Sequence, residues 1–153
     1  MKIYVGSDHG GFEQKKYLIE HLTGDGQSVT DCGSYSTEST DYPDFAVAVG
    51  QQVAADTDKE TVGILLCRSG EGMEMAANKI PGIRAALVWQ PTVAKETRGD
   101  NDANILVLPS DFIGNEEALE IARIFLSTPF SGAERHVRRL EKLHNIEHTR
   151  YED

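Results

Sequence analysis

Short apolar runs rich in β-branched residues alternate along this chain with stretches whose apolar positions recur every three to four residues. Lys2–Gly6 reads as a strand, and Gly11–Leu22 as a helix with Leu18, Ile19 and Leu22 on one face. Ser28–Cys32 is a second, weaker strand. Tyr42-Pro43 opens a helix that carries Phe45, Val49 and Val53 at i, i+4 and i+8. Val62–Cys67 is an unbroken apolar run, the pattern of a strand covered on both faces. A glycine-rich turn leads from it into a helix over Met73 to about Lys79. Arg84–Trp89 and Ile105–Leu108 are further strands. Glu116–Leu126 sets Ala118, Ile121, Ala122 and Phe125 at helical spacing, and Ala133–Ile146 is a charged closing helix.

Buried strands alternating with helices predict an α/β fold over residues 1–153 as a single domain. The expected architecture is a Rossmann-like, three-layer, doubly wound parallel sheet of about five strands with an extended C-terminal helix. Ligands bind such sheets outside the carboxyl ends of the strands. That rule directs attention to Gly6–Gly11, Cys67–Gly72 and Arg98–Asn104.

Composition narrows the partners. Fifteen basic against twenty-five acidic residues give a formal net charge of −10, which disfavours nucleic acid as a partner. An anionic ligand must therefore be gripped by local groups against the overall field. The longest apolar stretches fall far short of the ~20 residues of a membrane helix. Met1 runs into Lys2-Ile3-Tyr4-Val5 without a signal-peptide pattern, so a soluble, cytoplasmic protein with no membrane partner is expected. Cys32 and Cys67 lack metal-ligand spacing, and His9, His21, His136, His144 and His148 form no ligand cluster with them. No metal and no cofactor are expected.

The segment with chemical potential is Arg68-Ser69-Gly70-Glu71-Gly72, between the strand ending at Cys67 and the helix containing Met73. Backbone N–H groups at a glycine-rich turn and helix start attract negative charge. The spacing is neither a Walker loop nor a dinucleotide fingerprint, which ranks nucleotide binding low. Cys67 has two readings. It is a small buried hydrophobe, as most free cysteines are, or a thiol whose pKa the N–H groups lower. A thiolate beside such groups suits proton abstraction next to a carbonyl, with the N–H groups stabilising the enediolate. A cysteine hydrolase is the competing chemistry, with His9 as the activating base. Cys32, between Asp31 and Gly33, reads as structural.

Gly6-Ser7-Asp8-His9-Gly10-Gly11, Thr40-Asp41-Tyr42-Pro43, Cys67-Arg68-Ser69-Gly70-Glu71-Gly72, Ala76-Ala77-Asn78-Lys79 and Gly82-Ile83-Arg84 follow one another along the chain. With Asn101-Asp102-x-Asn104 and Arg135-His136-x-x-Arg139, this series resembles the type B ribose-5-phosphate isomerases, whose family includes the galactose-6-phosphate isomerase subunits. The resemblance implies an aldose–ketose isomerase that works without a cofactor through a cis-enediol. It makes Cys67 the base between C1 and C2, and Ser69 a hydroxyl that helps move protons between the sugar oxygens. Asp8, His9 and Tyr42 would line the sugar site, and backbone N–H groups of Arg68, Ser69, Gly70, Glu71, Gly72 and Met73 would form the anion hole. Asn101 would bind a sugar hydroxyl, and Arg135 and Arg139, four apart on a helix, would grip phosphate. The resemblance also implies a homodimer, or a tetramer of paired dimers, with active sites at the subunit interface. Glu74 lies one residue past the turn position where some members carry a glutamate base, so it is turned by about 100° away from that role.

Three positions depart from the family. Asp100 stands where a ring-opening histidine is common, Asp111 where a phosphate-binding arginine is often found, and Arg68 where glycine is typical. An aspartate near a phosphate dianion replaces attraction by repulsion, and Arg68 is positioned in sequence to restore the missing charge. Asp100 itself is the alternative ring opener. A tetrose 4-phosphate cannot close a furanose ring through its esterified oxygen, so the loss of the histidine keeps a tetrose 4-phosphate open as substrate, alongside a hexose 6-phosphate. A non-catalytic sugar-phosphate-binding subunit is the reading from another functional class.

Overall fold

The six residues Val62–Cys67 form a strand buried at every position, and a strand buried on both faces belongs in the middle of a parallel sheet. The computed structural model, which describes residues 1–149, places it there. In chain order the elements are β1 (Lys2–Ser7), α1 (Phe12–Gly24), β2 (Ser28–Asp31), α2 (Tyr42–Ala55), β3 (Val62–Cys67), α3 (Glu71–Ala77) and β4 (Ala85–Leu87). There follow α4 (Pro91–Asn101), β5 (Ile105–Pro109), α5 (Asn115–Ser127) and α6 (Glu134–His148). The five strands are all parallel in the order β2-β1-β3-β5-β4. The order reverses between β1 and β3, whose carboxyl ends flank the crevice where doubly wound sheets take ligands.

Side chains alternate across β3 and sort the core into two layers. Val62, Ile64 and Leu66 pack with Leu18 and Leu22 of α1 and with Ile121 and Phe125 of α5. Leu65 and Cys67 face the other way, among Val49 and Val53 of α2 and Met73 and Ala77 of α3. Cys67 is therefore the last inward position of the second layer, at the open edge of the sheet. Among the described residues no helix is long and apolar enough to cross a membrane.

The helix α4 departs from the sequence reading. It buries Ala94, Thr97 and Arg98, so its inner face is polar and carries no apolar period to detect. Its presence corrects the expectation for Arg98–Asn104. That segment is the end of α4 and the return to β5, with Asn104 N–H bonded to Arg84 O and Gly63 N–H to Asn104 O. These partners lie at the amino edge of the sheet, opposite Cys67. The helix α6 is joined thinly to the body. Its one buried residue is His136, while Val137, Leu143 and Ile146 are exposed.

Among the described residues, one charge is wholly buried. Lys15 on α1 donates to the Asp31 carboxylate and the Ser34 carbonyl. Its ammonium also sits 5.6 Å from the Phe12 ring centroid and 5.3 Å from that of Tyr35. This ties α1 to the loop after β2, which in turn pairs with Ser7 through Ser7 N–H to Gly33 O and Ser34 N–H to Ser7 O. Lys15→Met keeps the volume and takes the ammonium from the Asp31 carboxylate, whose Oδ1 retains the Gly33 N–H at 2.9 Å. Because Asp31 is a third exposed, the expected loss is about 2–3 kcal/mol, below the full cost of breaking a buried pair. Urea denaturation of the two proteins measures it.

Candidate active site

The chain leaves β3 at Cys67 and turns into α3 through Gly70, whose φ of +82° lies in the left-handed region. A side chain there would be strained by the backbone and would also collide with Leu87. The turn brings the Gly70 N–H back onto Cys67 Sγ at 3.2 Å. The N–H groups of Glu71, Gly72 and Met73 open the helix without intrahelical partners. Burial pushes the Cys67 thiol up from its ordinary pKa, the N–H groups of Met73, Gly70 and Ser69 pull it down, and the nearby Asp8 charge pushes it up. The net direction is upward. Of the two readings of Cys67, this direction goes against the lowered pKa, because the sulfur is sunk into the second core layer and lies near the Asp8 carboxylate.

The end of β1 supplies the opposite wall. Asp8 is buried, and its Oδ1 accepts from the N–H groups of Gly10 at 2.9 Å and Gly11 at 3.1 Å. Gly11 is obligatory because a Cβ would lie 2.7 Å from the Leu66 carbonyl oxygen. His9 is held from two sides by Thr40. Its N–H donates to Thr40 Oγ1, and its Nδ1 accepts the Thr40 N–H, both at 3.2 Å. Since Nδ1 is an acceptor, the neutral ring carries its proton on Nε2. Tyr42, the first residue of α2, lies over Gly72, where a Cβ would meet the ring at 2.8 Å. Asp8, His9, Tyr42, Cys67, Ser69, Gly70, Glu71, Gly72 and Met73 thus gather at one edge of the sheet.

Arg68 joins this group in an unanticipated way. Backbone bonds continue past the strands, from Ser110 N–H to Cys67 O and from Asp111 N–H to Arg68 O. They set the two departing residues side by side, with the Arg68 guanidinium 3.5 Å from the Asp111 carboxylate. The Arg68 stem crosses Gly10, where a Cβ would come within 2.6 Å of Arg68 Cγ. The cation at 68 and the anion at 111 form one exposed pair on the rim.

Asp100, Asn101, Arg135 and Arg139 are elsewhere. Asp100 and Asn101 end α4 at the amino edge, one β5 length away, or roughly 16 Å at about 3.3 Å per residue. Asp100 Oδ1 lies 3.6 Å from Nδ1 of the buried His136, which Ser131 Oγ approaches to 2.7 Å. Arg135 and Arg139 are exposed on α6 beside this cluster. Arg138 faces Glu134 at 3.7 Å on the same surface. A single chain does not bring these four residues to Cys67.

Several motif residues prove to be scaffold. Asn78 bonds both backbone groups of Ala85 through its amide, at 2.8 and 2.9 Å. Asn104 does the same between Arg84 N–H and Gly82 O. Asp102 receives Arg84 and Arg98 and thereby fixes the turn after Asn101. Glu74 accepts the Leu87 N–H at 2.9 Å, which occupies it away from the thiol. Thr40, the seat of His9, was legible only as part of a motif.

The family model described as Ribose/Galactose Isomerase matches residues 3–143. The ribose-5-phosphate isomerase B of Mycolicibacterium paratuberculosis is 41% identical over 150 residues, covering 97% of this chain and 93% of its own. The solved structure of the Clostridium thermocellum ribose-5-phosphate isomerase B superposes with a TM-score of 0.93 at 41% identity, covering 97% of this chain and 98% of that one. That of the Mycoplasma genitalium enzyme, with ribulose-5-phosphate bound, gives 0.92 at 40% identity and 97% of both chains.

A raised thiol pKa means that the reactive thiolate is scarce at neutral pH and grows as pH rises. Alkylation of Cys67 by iodoacetamide, followed by peptide mass analysis, is expected to accelerate about tenfold per pH unit through the neutral range. It should level off only above the range of an ordinary thiol.

Proposed function

The chain belongs to the ribose/galactose isomerase family and is an aldose–ketose sugar-phosphate isomerase, and from this premise we propose that it interconverts ribose 5-phosphate and ribulose 5-phosphate through a cis-enediol with Cys67 as the base. The observation that carries the reading is the Cys67 sulfur under the Gly70 N–H, at the edge where β1 and β3 diverge. In the open-chain aldose, the thiolate takes the proton from C2. The electron pair forms the C1–C2 double bond, and the charge moves to O1, toward the N–H groups opening α3. Ser69 Oγ passes the O2 proton to O1, and C1 receives the proton held on sulfur as C2 becomes the ketone. Asp8 and the Nε2–H of His9 orient the sugar, and Tyr42 closes the side wall.

The opposed location of Asp100, Asn101, Arg135 and Arg139 supports a homodimer in which each site is completed by the second copy. There Arg135 and Arg139 would hold the phosphate, Asn101 a hydroxyl, and Asp100 would open the ring. Arg68 is the cation this chain itself offers near Cys67, with Asp111 holding it at the rim, and it supplies phosphate attraction where the family commonly has an arginine at the Asp111 position. A tetrose 4-phosphate is the second reading. It is favoured by Asp100, whose carboxylate is directed toward His136, because a tetrose phosphate needs no furanose opened. A panel of ribose 5-phosphate, erythrose 4-phosphate and a hexose 6-phosphate separates these. Exchange of solvent deuterium into C2 separates an isomerase from a mere binder, which gives none.

Cys67→Ala is expected to lower kcat by at least ~10²–10⁴-fold, the usual contribution of a general base, while ligand-induced thermal stabilisation persists. Retained turnover would move the base elsewhere. Arg68→Ala should act on KM for the phosphorylated sugar, and Ser69→Ala on kcat; equal effects on KM would remove Arg68 from phosphate binding. Cys67→Ser and Arg135→Ala chains should each be inactive alone. Mixed under exchange they should recover about a quarter of the wild-type sites, the share of intact sites in randomly paired dimers. Zero recovery would end the shared-site arrangement.

A further inference from the structure

The last turn of α6 holds a cluster that the isomerase chemistry does not use. His144 and His148 are four residues apart, so both imidazoles project from one face, with ring centroids 4.4 Å apart. Glu147 stands beside them, its Oε2 4.0 Å from His144 Nδ1. One ligand atom from each of the three residues lies within 4.8 Å of the others. No metal site was expected from the sequence, because its histidines have no cysteine partners. The helix supplies the cluster instead from two histidines and a carboxylate.

We propose that His144, Glu147 and His148 form a chelating site for a divalent transition-metal ion of the zinc, nickel or copper class. Two details show donors oriented before any ion arrives. His148 Nδ1 lies 2.8 Å from the His144 carbonyl. It therefore acts as the N–H donor and leaves the Nε2 lone pair free to ligate, the arrangement that a backbone carbonyl imposes on metal-binding histidines. The Glu147 carboxylate is also tethered, because the Gly82 N–H donates to Oε1 at 3.1 Å and Oε2 at 3.2 Å. One oxygen can turn to the ion while the other keeps the Gly82 bond. A modest turn of the exposed His144 ring then completes a set of two nitrogens and one oxygen, with a position left for water.

This donor set selects its ion. Imidazole suits zinc, copper and nickel, whereas magnesium and calcium call for oxygen cages. The ion would take the imidazole nitrogens and the carboxylate oxygen as its ligands. Its structural effect follows from where Glu147 is tied. Through Glu147, already bonded to Gly82, the ion would fasten the last turn of α6 more firmly to the turn before β4, on a helix whose one buried residue lies near its other end. The inference is independent of the substrate and of the catalytic base.

The test uses tag-free full-length protein. Zinc is titrated against a chromophoric chelator, and copper(II) binding is followed by electron paramagnetic resonance. One ion per chain is expected, tighter for copper than for nickel or zinc and weaker for manganese. The copper spectrum should show two nitrogen ligands. His144→Gln or His148→Gln should each weaken binding at least ~10-fold, and zinc should raise Tm in the parent protein but not in the double variant. His148→Gln should leave turnover of the metal-free protein unchanged. Zinc bound as tightly by the His144→Gln/His148→Gln protein, or no zinc bound by the parent, would overturn the proposal.

Discussion

The left-handed turn at Gly70 is the constraint on which the site depends. A parallel sheet covered on both faces leaves its reactive side chains only at the edges, and β3 reaches that edge with a sulfur. What happens there is decided by one residue without a Cβ. Because Gly70 adopts positive φ and tucks beneath Leu87, its N–H folds back to the sulfur and α3 starts with its free N–H groups beside it. The same short approach lets Tyr42 lie on Gly72 and draws α2 into the wall. Backbone geometry thus sets side-chain chemistry: the turn fixes where the thiol, the aromatic wall and the anion-attracting amides stand relative to one another.

The electrostatics of the edge are a balance of opposed local effects within an acidic molecule. Burial and Asp8 oppose ionisation of Cys67, while three amides favour it. Asp8 is not idle, because its carboxylate gathers Gly10 and Gly11 into the loop that carries His9. A group that disfavours the thiolate therefore also builds the pocket wall. The rim pair Arg68–Asp111 shows a similar economy. Two departures from the family pattern, at positions far apart in sequence, are neighbours in space and form one exposed ion pair, so neither can be weighed alone.

The fold was legible wherever burial was apolar. The continuous run Val62–Cys67 and the i, i+4 positions of α2 and α5 mark their elements directly, and boundaries shifted by a residue or two. Where burial is polar the pattern is silent. The inner face of α4 is built on Ala94, Thr97 and Arg98, so the pattern shows no helix there, and the segment Arg98–Asn104 reads as a loop at the ligand-binding edge although it lies at the opposite one. The site divides in the same way. Cys67 through Met73 are neighbours in the chain and could be read together. The Thr40 clamp on His9, the Tyr42–Gly72 contact and the Arg68–Asp111 pair join residues that only the sheet order brings together. The upward push on the thiol was also invisible, since it comes from packing depth.

The distance along β5 between Asn104 and Pro109 has a further meaning. It puts the thiol and the two helix-borne arginines at opposite poles of one folded unit, too far apart for any side-chain motion to reunite. Under the shared-site proposal, correct folding and chemical competence would then be separate properties of this chain: a lone copy would hold every hydrogen bond in place and still stand idle, and a lesion at one pole would leave the other fit to serve a healthy neighbour.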